Sequence, residues 1–429
     1  MNLFLILFGK IFVFLSSFLN LGSGSTWPGH IALSINKNFL KDTLTKRKFK
    51  IILVAGTNGK TTTGKLIKEI LETNNNKVFH NEAGANLING VASSIIKNST
   101  FFGNLNFQYA IYEVDENTLP TLLKFFSSDF IICLNLFRDQ LDRYGEVNII
   151  LDKWRKAFGK LKAKTTLVLN SDDPQIASLG KKSKAKVLYF GVDEMRKTEL
   201  EHASDSTYCP NCGSKLLYKR VAFSHLGDWM CESCDNKRPI PNLEKLVSYP
   251  LPGLYNRYNT NAAVLVSKSL GINQYFITRV LKKFKPAFGR QEKIYINGKT
   301  LQIFLSKNPV SFNQSLMTVK GLKGKNILIA LNNKIPDGRD VSWIWDVDFE
   351  RFIDSFKNIF VSGDRTYDMA VRLKYSFKNS HQKLSVFENY KEALKFGLKK
   401  INRKEVLYVL PTYSAMLDLR KILTGKSIL

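Results

Sequence analysis

The stretch that decides the fold is Ile51-Ile-Leu-Val-Ala-Gly-Thr-Asn-Gly-Lys-Thr-Thr62. Its apolar residues predict a short buried strand, its glycines predict a loop, and the pattern that follows predicts a helix to about Asn74. A glycine-rich loop between a buried strand and a helix directs backbone N–H groups at phosphate oxygens. Lys60 can then reach the terminal phosphates, and Thr61 can bind Mg²⁺. The stretch therefore predicts a phosphate-binding loop.

Apolar runs downstream of this loop alternate with helix-length segments, which indicates a mostly parallel sheet covered by helices. The runs are residues 109–114, 130–134, 166–169 and 187–190. A helical pattern extends from Leu254 to about Lys283. A second alternation then begins at Leu301, and a helical pattern follows each of its strands. Those strands are residues 301–305, 327–331, 359–362, 384–387 and 406–410.

The two alternations predict an α/β protein with three parts. An N-terminal segment covers residues 1–48. A phosphate-binding domain covers residues 49–295, and residues 201–241 interrupt it as an insertion. A Rossmann-like C-terminal domain covers residues 296–429.

The chain is strongly basic. Its 429 residues include 64 Lys and Arg against 36 Asp and Glu, a formal net charge of +28. With 44% apolar and 23% charged residues, the composition excludes a mostly disordered chain and a multi-span membrane protein. The excess of positive charge favours anionic partners such as nucleic acid, an anionic membrane surface or phosphorylated small molecules. A general drift of composition toward Lys accounts for it equally well.

The first 21 residues are apolar, but they do not have the organisation of a signal peptide. No basic residue precedes the first apolar run, Lys10 interrupts it, and no convincing cleavage site of small residues follows. Their uninterrupted apolar part is shorter than the roughly 20 residues that a bilayer span needs. We therefore expect an amphipathic or buried helix in a cytoplasmic protein, with a peripheral membrane contact left open.

Four cysteines within the insertion have the spacing of a metal site. Cys209, Cys212, Cys231 and Cys234 form a C-x₂-C-x₁₈-C-x₂-C pattern, which is typical of a tetrahedral zinc ribbon. Four protein sulfurs leave no open coordination position, so the predicted zinc is structural. Acidic residues flank the quartet, which argues against a nucleic-acid surface. They are Glu194, Glu199, Glu201, Asp205, Asp228, Glu232 and Asp235.

Several motifs occur in the same order as in the Mur ligase family, which the chain resembles. The loop resembles that family's phosphate loop, and Glu113 stands in the place of its magnesium-binding glutamate. The segment from Leu254 resembles the one that contacts adenine in the family, with Asn256 and Asn259 at the matching positions. Arg290 lies in a Gly-Arg-x-Glu motif whose arginine meets phosphate in the family.

The resemblance implies a Mur ligase-like ATPase domain that uses ATP and Mg²⁺ to activate a carboxylate as an acyl phosphate. The implied ATP-binding residues are Gly56, Thr57, Asn58, Gly59, Lys60, Thr61, Thr62, Asn256, Asn259 and Arg290. The implied magnesium ligands are Thr61 and Glu113. The family's Asp-His-x-Asp motif corresponds here to Asp139–Asp142, in which Gln140 replaces the histidine. A second magnesium site is therefore not implied.

A Mur ligase domain interrupted by a four-cysteine ribbon is similar to the MurT family, the ligase subunits of lipid II isoglutaminyl synthase. Further segments resemble that family at residues 135–146, 307–309, 312–314, 337–346 and 410–413, and Val310-Ser311 departs from its pattern. The resemblance implies amidation of the D-glutamate α-carboxylate of lipid II, giving D-isoglutamine during peptidoglycan synthesis. The sequence offers no convincing cysteine nucleophile with a paired histidine, so the ammonia would come from a separate GatD-like glutaminase.

In that family an aspartate of the C-terminal domain completes the partner's catalytic pair. The segment 337–348 supplies the candidates, Asp346 first and Asp340 second, and Trp343 and Trp345 can anchor an interface. The alternative is that both tryptophans are core residues and the acids only begin a helix.

Two other functions stay open on the sequence. A stand-alone Mur-type ligase would add an amino acid without a partner. A nucleic-acid-binding ATPase would use the zinc ribbon and the positive charge, and its turnover would fall steeply with salt. No helicase-like or RNA-binding motif supports the second function.

Overall fold

The computed structural model describes residues 2–18, 26–45, 47–81, 85–139, 147–181, 183–195, 200–202, 204–244, 246, 248–378 and 383–425. In residues 15–18 and Lys383 only the backbone is described.

A six-stranded, fully parallel sheet forms the first domain, so the predicted parallel architecture is confirmed. Its strand order is β2-β3-β1-β4-β5-β6. The strands are β1 Lys50–Ala55, β2 Val78–His80, β3 Tyr109–Val114, β4 Phe130–Cys133, β5 Thr166–Asn170 and β6 Lys186–Phe190. The three-residue β2 was not predicted, because so short a run has no periodicity to read.

Alternate residues of β1 enter two different cores. Ile51 and Leu53 face one layer of helices, while Ile52 and Val54 face the other. The first layer contains α1 Asn2–Phe18, α2 Trp27–Ile35, α3 Phe39–Leu44, α5 Ile88–Asn98, α6 Thr118–Phe125, α7 Val147–Phe158 and α8 Pro174–Ser178. The second contains α4 Lys60–Thr73, α9 Leu254–Ser269 and α10 Gln274–Lys283.

The helical pattern predicted from Leu254 to Lys283 is therefore two helices. Gly271, with a φ of +80°, lies in the turn between them. Such a left-handed residue ends a helix, and glycine adopts it at no steric cost.

A second six-stranded sheet forms the C-terminal domain, in the order β13-β12-β11-β14-β10-β9. All its neighbouring pairs are parallel except β9 and β10. Its strands are β9 Arg290–Ile296, β10 Lys299–Phe304, β11 Asn326–Ala330, β12 Asn358–Ser362, β13 Lys383–Val386 and β14 Val406–Pro411. Its helices are α11 Pro309–Gly321, α12 Thr366–Ser376, α13 Tyr390–Lys400 and α14 Tyr413–Thr424. The boundary proposed after residue 295 falls within β9.

One helix expected in this domain is absent. Between β11 and β12 the described chain forms four short 3₁₀ turns, Ile335–Asp337, Ser342–Asp346, Phe349–Arg351 and Ile353–Ser355. Apolar residues such as Ile344, Phe349 and Ile353 are buried there. The turns therefore cover the sheet as a helix would, without helical periodicity.

The insertion contains an antiparallel hairpin, β7 Leu217–Phe223 and β8 Leu226–Met230. At the N-terminus, α1 packs on α2 and α5 with Leu5 and Ile6 buried. Within the described ranges, no helix is long and apolar enough to cross a membrane.

Candidate functional site

A cavity of about 340 Å³ lies where the two domains meet at the end of β1. One wall is formed by residues 57–62 with Glu113, Glu116 and Asp139. The other wall is formed by Arg290, Lys307, Ser311, Gln314 and Tyr413. Carboxyl ends of parallel strands are the usual place for a ligand in such sheets. The position of the cavity therefore agrees with the predicted phosphate-binding loop.

The loop has the backbone that a phosphate site needs. Gly56 and Gly59 have φ values of +136° and +95°, a backbone conformation that residues with a Cβ rarely adopt. A Cβ on Gly59 would also lie 2.1 Å from Asn259 Oδ1, so glycine is required there on both counts. Asn58 N donates to Asn135 Oδ1 at 2.9 Å, which fixes the loop against the segment after β4. Helix α4 then begins at Lys60, directly after Gly59.

Lys60 lies over the loop. Its Nζ donates to the Gly56 carbonyl oxygen and is 3.5 Å from Glu116 Oε2. Burial would raise the pKa of the Glu116 carboxyl, but the charges of Lys60 and Lys307 lower it below its usual value. Glu116 is therefore an anion that pairs with Lys60 and feels the charge of Lys307.

Lys307 reaches this cluster from the C-terminal domain and pairs with Asp139. Burial would lower the pKa of Lys307, but Asp139 and Glu116 raise it above its usual value. Burial raises the pKa of Asp139, and Lys307 opposes the shift. Of the segment that carries Gln140, only Asp139 belongs to the described residues, so the predicted departure at Gln140 lies outside them.

Two side-chain oxygen atoms predicted to bind Mg²⁺ lie beside the loop. Thr61 Oγ1 donates to Glu113 Oε2 at 2.7 Å, and His80 Nε2 lies 3.1 Å from Glu113 Oε1. Burial would raise the pKa of Glu113, but the hydrogen bond from His80 and the charges of His80 and Arg290 lower it. The side chains of Thr61 and Glu113 supply the hard oxygen atoms that Mg²⁺ prefers, so they fit the ion predicted for them.

The remaining predicted ATP-binding residues also come to the cavity. Asn256 and Asn259 are buried one turn apart on α9, and Asn259 Nδ2 donates to Asn256 Oδ1 at 3.3 Å. Arg290 lies at the start of β9, where it donates to the Phe288 carbonyl oxygen at 3.1 Å. Burial lowers the pKa of the Arg290 guanidinium, and the charge of Glu113 opposes this shift.

The structure adds residues that the sequence did not single out as site residues. They are His80, Glu116, Lys307, Asn308 and Gln314. Glu116 was accessible to sequence reasoning, because it follows Glu113 closely at the same sheet edge. The buried carboxamide of Gln314 has no hydrogen-bond partner among the described residues and lies in the cavity wall.

The four cysteines come together as predicted. Their sulfur atoms all lie within 4.8 Å of one another. The Sγ atoms of Cys209 and Cys234 are 3.6 Å apart, and those of Cys212 and Cys231 are 3.5 Å apart. Four converging sulfurs with no disulfide among them fit a tetrahedral metal ion such as zinc.

The insertion also ties the two domains together. Asp205 accepts from Arg138 N at 2.9 Å, which anchors the chain next to Asp139. Asn313 Nδ2 on α11 donates to Glu201 Oε2 at 3.2 Å and to Asp348 Oδ2 at 3.1 Å. The insertion therefore contacts both walls of the cavity, and Phe223 and Leu226 of its hairpin line the cavity itself.

Asp340 and Asp346 lie away from the cavity, in and beside the turn Ser342–Asp346. Both carboxylate oxygens of Asp340 accept from Ser342, at 2.8 Å each. Asp346 is partly exposed, and no hydrogen bond joins its carboxylate to the described part of the chain. Trp343 packs against the core near Phe312, whereas Trp345 is 52% exposed.

The chain is similar to proteins of known families over nearly all its length. The Mur ligase middle domain model matches residues 54–267, and the MurT ligase C-terminal model matches residues 305–416. The MurT subunit of lipid II isoglutaminyl synthase (glutamine-hydrolyzing) from Streptococcus pneumoniae is 33% identical over 95% of this chain and 94% of its own. The Staphylococcus aureus strain COL subunit of the same name is 32% identical over 82% of this chain and 83% of its own.

Among solved structures, a pseudomurein peptide ligase type C from Methanothermus fervidus has the same fold. Its TM-score is 0.65 at 21% sequence identity, and the match covers 90% of this chain and 80% of that one. At this identity the likeness concerns the fold alone.

Proposed function

The chain belongs to the MurT family within the Mur ligases, and from that premise we propose that it is the ATP-dependent ligase subunit of a lipid II isoglutaminyl synthase. The reaction is amidation of the D-glutamate α-carboxylate in the stem peptide of lipid II, giving D-isoglutamine for peptidoglycan synthesis. The observation that carries the proposal is the similarity to the S. pneumoniae MurT subunit, which spans 95% of this chain. In agreement with it, the phosphate loop and the C-terminal domain of this chain line the same cavity.

In the first step, a carboxylate oxygen of the substrate attacks the γ-phosphorus of ATP and the bond to the ADP oxygen breaks. Backbone N–H groups of residues 56–61 and Lys60 hold the phosphates, and Asn256 and Asn259 lie where the adenine would be bound. Arg290 and Lys307 stabilise the negative charge that develops on the transferred group. Mg²⁺ bound by Thr61 and Glu113 would neutralise phosphate charge.

In the second step, ammonia attacks the acyl carbon, the carbon–oxygen bond to phosphate breaks, and the attacking nitrogen loses a proton. Phosphate leaves and the amide remains. A carboxylate is a poor electrophile, so the phosphate is needed as a leaving group.

The ammonia would come from a GatD-like glutaminase, since the S. pneumoniae relative is named as one subunit of a glutamine-hydrolysing enzyme. Asp346 is the first candidate to orient the partner's catalytic histidine, because its carboxylate is partly exposed and uncommitted within the described residues. Asp340 is second, because Ser342 already uses both its oxygens. The exposed rings of Trp345, Tyr367 and Tyr375 surround this turn and supply apolar contact area.

The four cysteines would hold a structural Zn²⁺. Zinc at this position supplies no chemistry to the reaction, because four sulfurs complete its tetrahedral coordination.

The enzyme would work in the cytoplasm, at the inner face of the plasma membrane where its substrate is found.

The test is to purify the chain with and without a verified glutaminase partner and measure glutamine-dependent amidation of lipid II. Amidation should need both chains and ATP, and Lys60→Ala should abolish it. Amidation by this chain alone, or none with both chains present, contradicts the proposal.

The two aspartates can be ranked in the same complex. Asp346→Asn should lower glutamine hydrolysis by up to about ten-thousandfold while ATP binding is unchanged. The matched Asp340→Asn should lower it much less. Equal hydrolysis in wild type and Asp346→Asn would exclude Asp346 from this role.

A further inference from the structure

An apolar surface remains uncovered at the N-terminal end of the fold. It consists of Leu3, Phe4, Phe8 and Ile11 on α1 with the loop residues Phe101 and Phe102, and we call it the N-terminal apolar surface. Phe4 is 68% exposed and Phe102 is 84% exposed. The spacing from Phe4 to Phe8 to Ile11 places them on one face of the helix. Single exposed apolar residues are common, but a contiguous set of this kind marks an interaction site.

Packing holds this surface in place. The buried side of α1 packs on α2 and α5, where a Cβ on Gly9 would lie 2.7 Å from Ile96 and 3.5 Å from Pro28. Lys10 joins the helix to the loop. Its Nζ donates to the Lys97 carbonyl oxygen at 3.2 Å and lies 5.5 Å from the Phe101 ring centroid. Helix and loop therefore present their apolar side chains together.

The surroundings of this surface are basic. Lys10, Lys37, Lys41 and Lys97 border it, together with the acid Asp42. Asn2, the first residue of α1, contacts Asn36 and Thr43. The exposed Lys37 and Lys41 therefore lie close to the N-terminus of α1. Lys97 is exposed beside Lys10. Apolar side chains bordered by lysines match the two layers of an anionic bilayer, its acyl chains and its headgroups.

We propose that the N-terminal apolar surface docks this chain on an anionic lipid bilayer, with the aromatic side chains in the acyl-chain boundary and the lysines at the headgroups. Helix α1 lies flat on the membrane and does not cross it, because the face that carries Leu5 and Ile6 is buried against the protein. A second copy of the chain is the less favoured occupant, because the lysines would then face lysines. The inference rests on the proposed function in one respect, that a lipid-linked substrate brings the enzyme to the bilayer.

The experiment measures co-sedimentation of the full chain with vesicles of equimolar phosphatidylcholine and phosphatidylglycerol, and with vesicles of phosphatidylcholine alone. Binding should be stronger to the anionic vesicles and should weaken with salt. The double variant Phe4→Ser/Phe8→Ser and the double variant Phe101→Ser/Phe102→Ser should each lower the partition coefficient about tenfold or more. The matched control is Tyr275→Ser with Ile240→Ser, two exposed apolar side chains elsewhere. Circular dichroism checks that each variant is folded.

The outcomes separate this inference from the proposed function, because amidation by the chain together with a verified glutaminase partner is assayed in parallel on lipid II in detergent micelles. Wild-type vesicle binding that both Phe variants retain overturns the inference, and so does no vesicle binding at all. A concentration-dependent dimer that the Phe variants lose, without vesicle binding, assigns the surface to a second copy and also overturns it. Vesicle binding as expected with no amidation in micelles overturns the proposed function and leaves the docking surface standing.

Discussion

The side chains of Asn58 and Asn308 face each other across the two domains, with Nδ2–Oδ1 distances of 3.4 and 3.3 Å. Asn58 belongs to the phosphate loop, and Asn308 caps the N-terminus of helix α11, where its Oδ1 accepts from Ser311 N at 2.8 Å. The N-terminus of a C-terminal-domain helix therefore lies directly against the loop. Such a helix end favours negative charge, so it can contribute to phosphate binding from the second domain.

Asn308→Asp should raise the KM for ATP by about tenfold with little loss of stability. Aspartate still caps α11, but it adds a negative charge beside the phosphates and cannot donate to Asn58. Steady-state kinetics of the complex give the KM. The control is Asn273→Asp, which caps α10 away from the cavity and accepts from Tyr275 N at 2.8 Å. An unchanged KM in Asn308→Asp would mean that this helix end does not face the phosphates.

His80→Leu should raise the Mg²⁺ concentration for half-maximal activity by about tenfold. The His80 ring is buried against Glu113 and positions its carboxylate, and loss of a residue that orients a metal ligand weakens metal binding by about this factor. His80→Gln, whose amide can still donate, should restore most of the Mg²⁺ affinity, which a purely structural role would not explain. The same change at exposed His30 should have no effect. A Mg²⁺ dependence equal to that of wild type in His80→Leu contradicts this role.

Gln314→Met should stabilise the chain by about 1 kcal/mol and lower its amidation activity. The buried carboxamide of Gln314 has no partner among the described residues, so an apolar side chain of similar size removes a desolvation penalty. The loss of activity is expected because Gln314 lies in the cavity wall, where a substrate can supply the partner. Urea unfolding and kinetics measure the two effects, with exposed Gln274→Met as the control. A gain in stability with full activity would show that Gln314 has no substrate contact.

Cys231→Ser should remove bound zinc and lower the Tm by roughly 5 °C or more, since the metal stabilises only the folded ribbon. Loss of the ribbon should also loosen the anchor of Arg138 on Asp205 and the bond of Asn313 to Glu201. Cys133→Ser is the control for the zinc content, because that cysteine is buried in β4 outside the quartet. Elemental analysis should find one zinc per chain in the control. A zinc content that Cys231→Ser leaves unchanged would contradict the quartet as the site.

Glu350→Gln should lower the free energy of unfolding near neutral pH by about 1 kcal/mol or less, since the partly exposed Glu350 is screened by solvent. Arg372, which is nearly buried, forms two bonds to Glu350 at 2.6 and 3.0 Å. Burial would raise the pKa of Glu350, but Arg372 lowers it below the ordinary 4.5. The carboxylate therefore stabilises the fold above pH 4.5 and loses this effect as the pH falls through the lowered pKa.

Urea unfolding of Glu350→Gln and wild type should consequently converge below pH 4.5. The exposed Glu392→Gln should match wild type throughout. A difference between wild type and Glu350→Gln that grows as the pH falls has the wrong sign for this ion pair.

Local patterns predicted most of the fold. Parallel strands such as β1 and β3 are buried apolar runs that can be recognised without their neighbours. The 3₁₀ turns between β11 and β12 were not predicted, because Ile344, Phe349 and Ile353 are buried with spacings that match neither a helix nor a strand. β9 was also missed, because its polar residues alternate weakly and only pairing with β10 stabilises it.

The sequence by itself determined the phosphate loop, the two strand-and-helix alternations and the cysteine quartet. Each of these depends on residues close together in the chain, so spacing and residue type are enough to recognise it. Tertiary structure alone decided which side chains complete the cavity. Asn58 and Asn308 are 250 residues apart, and Lys307 and Asp139 are 168 apart. Their contacts exist only because two separately folded sheets meet at the carboxyl end of β1, and no local pattern encodes that meeting.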